Sequence, residues 1–328
     1  MSKFNFMTRV FCISILICMF TAALNAGTYT TLASLSSTTG YEIYYASLFQ
    51  GSDGNFYGTT YAGGGNSMGT VFKITSTGTI TVLHSFATSD GYHPYGGLIQ
   101  ASDGNFYGTT SAGGANGFGT VFKVTSSGTF TVLHSFATSD GYDNYGGLIQ
   151  GTDGNLYGTT YTGGANGDGT VFKVTTSGTL TVLHSFATSD GYQSYSKLVQ
   201  GTDGNLYGTT YAGGANGDGT IFKVTTSGTL TVLHSFATSD GYHSYSKLVQ
   251  ATDGNLYGTA YAGGANSDGT IFEVTTSGAL TVIFNFSSAY GSQPYGGLIQ
   301  GTDKNFYGTT NSGGSNDEGT IFQVALGL

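Results

Sequence analysis

Six glutamines and six aspartates recur at one interval along this chain. Gln50, Gln100, Gln150, Gln200, Gln250 and Gln300 stand 50 residues apart, and Asp53, Asp103, Asp153, Asp203, Asp253 and Asp303 keep the same spacing. Amides in such a set could ring a channel, and carboxylates could do acid–base work. Their neighbours point elsewhere. Each aspartate precedes a tight turn, where its side chain serves backbone geometry. Each glutamine ends a strand-like run, and its amide is expected to satisfy nearby backbone groups. His84, His134, His184 and His234 share a third position, but Ala33 and Phe284 occupy it in the outer copies. A position that accepts Ala and Phe is packing or surface, not a ligand set. Lys73, Lys123, Lys173 and Lys223 give way to Glu273 and Gln323, as on a solvated strand edge.

Residues that differ between copies fall in two loops. Before one recurrent Gly stand Met68, Phe118, Asp168, Asp218, Asp268 and Glu318. Between copies stand Tyr92-His93, Tyr142-Asp143, Tyr192 and Tyr242-His243, and Lys197 and Lys247 replace Gly97, Gly147 and Gly297. Tyrosines, amides and carboxylates on one loop face can stack on a sugar or grip a protein side chain. The candidate ligand-binding set is therefore Met68, Phe118, Asp168, Asp218, Asp268, Tyr92, His93, Tyr142, Asp143, Tyr192, Lys197, Tyr242, His243 and Lys247. The four tyrosines are expected to be exposed, and the two lysines to lie near the acidic side and neutralise it. No nucleophile, base and orienting group form a recognisable set, so no catalytic residue is assigned. HExxH, GxSxG and phosphate-loop motifs are lacking. His93 or His243 beside an acid is the remaining catalytic option. No cofactor is expected, and calcium is a minor option because no loop shows its ligand spacing.

The elements that must position these residues follow from one stretch, 151–200, which reads GTDGNLYGTTYTGGANGDGTVFKVTTSGTLTVLHSFATSDGYQSYSKLVQ. A fixed period of this length marks a repeat architecture. One copy holds four strand-like runs, expected at 195–200, 205–211, 220–225 and 229–236. Aromatic and β-branched residues fill the runs, and Gly, Asn, Asp and Ser fill the gaps. Four antiparallel strands per repeat describe a propeller blade. The two ends complement each other. Residues 27–50 match the back of a repeat, and 295–324 supply only its first three strands. The expected fold is an all-β, six-bladed β-propeller of four-stranded blades, closed by an N-terminal strand at 28–35 that completes the C-terminal blade.

Residues 1–26 read as a secretory signal peptide, with Lys3 and Arg9 before an apolar run at 10–23. That leaves 27–328 as a single propeller domain. Both cysteines, Cys12 and Cys18, lie in the signal. Two of nine basic residues leave with it and none of the 18 acids, so 7 against 18 gives a net charge of −11. Nucleic acid and anionic membrane surfaces are excluded as partners. No membrane span is expected in the mature chain, and a monomer is expected.

The string N-F/L-Y-G-T-T-x-x-G-G-x-x-x-x-G-T-V/I-F-K/E/Q runs through the copies from Asn55 to Gln323, with Ala260 for one Thr. It resembles the GloVer tandem repeat of exported bacterial proteins. The resemblance implies export and repeat architecture, and it brings no biochemical activity. Such proteins often carry a C-terminal sorting segment, whereas this sequence ends at Gly327-Leu328 without an apolar tail, so anchoring there is not expected. The D-G-N-F/L-Y portion is similar to lactonase-like propellers, but their acidic and amide metal ligands have no counterparts here. Together these readings predict an exported, extracellular, cell-surface or periplasmic binding module. Its ligand would be a glycan or an extracellular protein, neutral or cationic given the acidic chain. The alternatives are a purely structural surface protein and, less favoured, a hydrolase or lyase.

Overall fold

Each repeat folds as its pattern of β-branched and aromatic residues dictates. In the third repeat the strands are Ile149–Gln150, Leu156–Thr159, Thr170–Val174 and Leu180–Ser185. The second is buried throughout, the third everywhere but Lys173, and the fourth is only half-buried. This gradient is that of a sheet whose middle strands are covered on both faces. The computed structural model describes residues 30–43 and 48–327, so the signal peptide assigned to 1–26 lies outside the described residues. No helix among the described residues is long and apolar enough to cross a membrane.

The described chain forms six antiparallel sheets in sequence order. Five have four strands and the last has three. Pairing is between consecutive strands, as in Leu156↔Val174 and Leu156↔Gln150. Each four-stranded sheet carries a bulge at the same place, Val171/Phe172 in the third, which steepens the local twist. The first strand is shorter than expected: Val199–Gln200 rather than 195–200. The chain just before it is held against its neighbours instead. A Cβ at Gly96, for example, would collide with the Gly147 backbone.

By backbone contacts the chain divides into Met1–Thr31, of which only Thr30 and Thr31 are described, and Leu32–Leu328. Within the second unit, Leu32 lies over Gly78, whose Cβ would strike the Leu32 carbonyl oxygen. Leu133 and Leu183 sit in the same way over Gly178 and Gly228, and both belong to fourth strands. Residues 30–35 form no ladder with the sixth sheet, which keeps three strands among the described residues. Ile321 in its third strand, Ile321–Val324, is 86% exposed.

The core lies between sheets. Five apolar clusters each join one sheet to the next. Tyr157 of the third sheet packs with Leu198, Leu206 and Phe222 of the fourth, and Tyr57 stacks on Phe106 of the second at 3.8 Å. The repeated aspartates anchor these tyrosines as well as their turns. Asp53 accepts from the Asn55 amide at 2.8 Å and from the Tyr57 hydroxyl at 2.8 Å. Those bonds, the Asn55 bond first, hold its pKa below the ordinary value. The four histidines pair with Asp90, Asp140, Asp190 and Asp240 at 2.6–2.9 Å, and Phe284 meets Tyr290 at that place in the fifth sheet.

The glutamines are latches. Gln200 Oε1 accepts the Thr152 N–H of the preceding sheet at 2.8 Å, and its Nε2 donates to the Gly204 carbonyl at 3.0 Å. Gln100, Gln150 and Gln250 do the same one sheet apart. Because the freed groups are solvent-accessible, Gln200→Ala is expected to cost only about 1 kcal/mol in chemical denaturation. A loss above about 3 kcal/mol would mean that the latch does more than join two sheets.

Candidate ligand-binding site

The loops between sheets are pinned by one unusual residue each. Glu42, His93, Asp143, Gln193, His243 and Gln293 all have positive φ, between 56° and 60°. Non-glycine residues seldom adopt this conformation, so surrounding bonds must hold it. The Gln293 N–H donates to the Asp268 carbonyl at 2.9 Å, and its own carbonyl accepts the Asn311 N–H at 3.1 Å. Gln193 and His243 repeat the arrangement between Asp168 or Asp218 and Tyr211 or Tyr261. Each loop thereby ties the second-to-third loop of one sheet to that of the next. The two histidines are laid against the preceding sheet: His93 stacks on Tyr61 at 3.9 Å, and His243 on Tyr211 at 4.0 Å. Burial lowers both histidine pKa values, with Glu42 and Asp218 opposing, so the stacked rings are neutral at pH 7.

Two residues further on, the loops deliver a tyrosine each. Tyr95, Tyr145, Tyr195, Tyr245 and Tyr295 come from loops entering five different sheets and line one cavity of about 630 Å³. Neighbouring rings touch around it, with centroids 5.1 Å apart for Tyr95–Tyr145, 5.5 Å for Tyr145–Tyr195, 5.1 Å for Tyr195–Tyr245 and 4.3 Å for Tyr245–Tyr295. Tyr161 and Tyr211 form a second layer and hydrogen-bond Tyr195 and Tyr245. Burial raises the phenol pKa values of Tyr145, Tyr195 and Tyr245, that of Tyr145 to about 12. Lys197 and Lys247 complete the wall with Gly96, Gly146, Ser246 and Gly296. Burial pulls Lys197 down to about 8, and the Lys247 charge adds to the effect.

Of the residues singled out in the sequence, only Lys197 and Lys247 line this cavity. Among the described residues neither ammonium pairs with a carboxylate, so they do not neutralise the acidic loops as expected. Tyr92, Tyr142, Tyr192 and Tyr242 are half-buried, not exposed. Their rings lie against Gly113, Gly163, Gly213 and Gly263, where a Cβ would meet them at 2.7–2.9 Å. Met68 packs in the cluster with Tyr92, and Phe118 lies 4.9 Å from Tyr142. Asp143 accepts from Thr162 Oγ1 at 3.2 Å, and burial raises its pKa. Asp168, Asp218 and Asp268 are half-buried in their loops, and their carbonyls serve the pinned residues.

The five cavity tyrosines were not picked out in the sequence because they do not vary between copies. Their signal is the pair that follows. It is Gly-Gly after Tyr95, Tyr145 and Tyr295, and Ser-Lys after Tyr195 and Tyr245. Small residues beside a fixed aromatic indicate a chain that approaches another backbone closely, which a strand interior does not require.

A family model described as Gloeobacter/Verrucomicrobia repeat matches residues 18–201 and 177–327. No curated protein matches the chain. Among solved structures, a streptogramin B lyase is similar at a TM-score of 0.56 and 17% identity, over 87% of this chain and 83% of that one. A candidate 6-phosphogluconolactonase of Bacteroides uniformis gives 0.52 and 17%, over 83% and 80%. A Dyadobacter fermentans protein of unknown function gives 0.50 and 13%, over 88% and 97%. These likenesses are of fold, and the arrangement of sheets is propeller-like.

Proposed function

The chain belongs to the Gloeobacter/Verrucomicrobia repeat family, and from that premise we propose an exported binding module whose ligand, a glycan, sits in the tyrosine-lined cavity. One observation carries this reading: loops entering five sheets each contribute an aromatic ring to the same cavity. Aromatic faces bind the apolar faces of sugar rings, and phenol groups can add hydrogen bonds. The volume lies in the ordinary range of small-molecule sites. Fold likeness to a lyase and a lactonase does not transfer their chemistry, because function resides in the site.

The ring is proposed to close into six blades, with residues 28–35 as the outer strand of the last. In the second sheet Phe130 of the fourth strand stacks on His84 at 3.6 Å. Beside the corresponding Phe284, a cavity of about 390 Å³ opens between Phe284, Tyr290, Phe322 and Val324. A fourth strand would fill it.

The test is glycan binding by residues 27–328, measured by array and calorimetry. Tyr195→Ala with Tyr245→Ala is expected to weaken binding at least ten-fold, since each aromatic contact contributes about 0.5–1.5 kcal/mol beyond burial. Asp153→Ala, on the opposite end of the sheets, should leave affinity unchanged in whatever protein remains folded. Binding that survives the tyrosine changes but not the aspartate change would move the site to the other end. Glycan turnover would convert the reading to an enzyme.

A further inference from the structure

We propose that the cavity takes an acidic sugar, a uronate-bearing saccharide whose carboxylate lies between Lys197 and Lys247 while its rings rest on the tyrosines. The inference rests on the cavity being the binding site. What it adds is the sign of the ligand's charge, opposite to that suggested by the chain as a whole.

Half-buried Lys197 and exposed Lys247, from adjacent loops, line one open-mouthed cavity. Among the described residues the wall is otherwise tyrosine, glycine, serine and leucine, and the Asp143 carboxylate acts on it only through Tyr145. Like charges held together without a counter-ion destabilise each other, and an anion between them removes that cost. The depressed Lys197 pKa has both causes, burial first and Lys247 second. Space has been kept for these side chains. At Gly297 a Cβ would come within 3.1 Å of Lys247 Cγ, and at Gly146 it would meet the Ser196 backbone that leads into Lys197. Tyr195 and Tyr245, two residues before each lysine, present rings beside the charges.

The acidic chain, net −9 over the full sequence, opposes anions at long range. That effect is weak at physiological salt. The Debye length there is about 8 Å, so carboxylates on the outer surface are screened, whereas lysines in contact with a ligand in a partly dehydrated cavity are not. The local pair therefore decides the sign.

Calorimetry on residues 27–328 at pH 7 and 0.15 M salt would use trimers of galacturonate, glucuronate, mannuronate and guluronate, each beside its methyl ester. The ester keeps the sugar and removes the charge. At least one acid is expected to bind ten-fold or more tightly than its ester. Lys197→Gln and Lys247→Gln should each remove about ten-fold from the acid and leave the ester unchanged. Affinity for the acid should fall as the pH rises through about 8, where unliganded Lys197 loses its proton. Among the described residues the other titratable groups at the cavity are Lys247 and the tyrosines, with Asp143 beside Tyr145. Burial pushes Tyr145, Tyr195 and Tyr245 upward, so their phenols do not compete in that window.

Equal binding of acid and ester, or lysine variants without effect, would overturn the charge assignment and leave the glycan reading standing. If no uronate binds but a neutral glycan does, with sensitivity to Tyr195→Ala, this inference fails alone. If neither class binds, both fail.

Discussion

Replacing Tyr157 with alanine is expected to remove about 3–5 kcal/mol of stability, the range for deleting a large buried aromatic. The side chain is fully buried, and its ring faces the next sheet among Leu198, Leu206 and Phe222. Its hydroxyl donates to Asp153 Oδ2 at 2.6 Å. Burial, and then that bond, raise the phenol pKa, so the group stays protonated as a donor across the physiological range. Domains are stable by only about 5–15 kcal/mol, so the loss is a large share of the total. Tyr157→Phe separates the two contributions. It keeps the ring and removes the hydroxyl, and Asp153 retains its Asn155 bonds at 2.8 and 3.1 Å, so about 1–2 kcal/mol is expected. Urea denaturation of both variants is the measurement. If the alanine variant lost no more than the phenylalanine variant, ring packing between sheets would not be the main contribution.

The second large effect is expected from deleting residues 27–35. The deletion removes Leu32 from its place over Gly78 and, on the proposed closure, the outer strand of the last blade. An exposed strand edge with Ile321 on it is a template for pairing with another chain. The deleted protein should elute as oligomers or aggregate, with most soluble monomer lost, while the parent remains monomeric. Light scattering coupled to gel filtration distinguishes the two. A monomeric deletion variant with an unchanged melting temperature would remove the N-terminal strand from the closure.

Much of the fold was legible because each repeat states its strands locally. Thr170–Val174 and Leu180–Ser185 sit within two residues of the runs read from β-branched and aromatic content. The short first strand was not legible, since Tyr195 belongs to a cavity wall assembled from five repeats. Strand propensity describes one repeat and carries nothing about how five meet. Variation between copies pointed to the end of the sheets where the cavity opens, and mostly to side chains that do not line it. Tyr92 and its equivalents reinforce loops, and the invariant Tyr95 set faces the space. Lys197 and Lys247 were legible because they break the Gly-Gly pattern. Their direction was not, since it depends on the neighbouring glycines that admit them.

The five seams between sheets use nearly interchangeable parts: a tyrosine meets the next repeat's leucine or phenylalanine at each, and at the first four an amide reaches back to a backbone N–H. Nothing in the seam itself tells the second sheet to dock on the third and not on the fourth. A chain released from denaturant all at once can join the wrong neighbours, looping out a sheet and leaving a trap that only wholesale undocking escapes. Synthesis from the N-terminus avoids much of this, because each sheet meets its predecessor before its look-alike exists. Order of emergence then supplies the addressing that the surfaces lack.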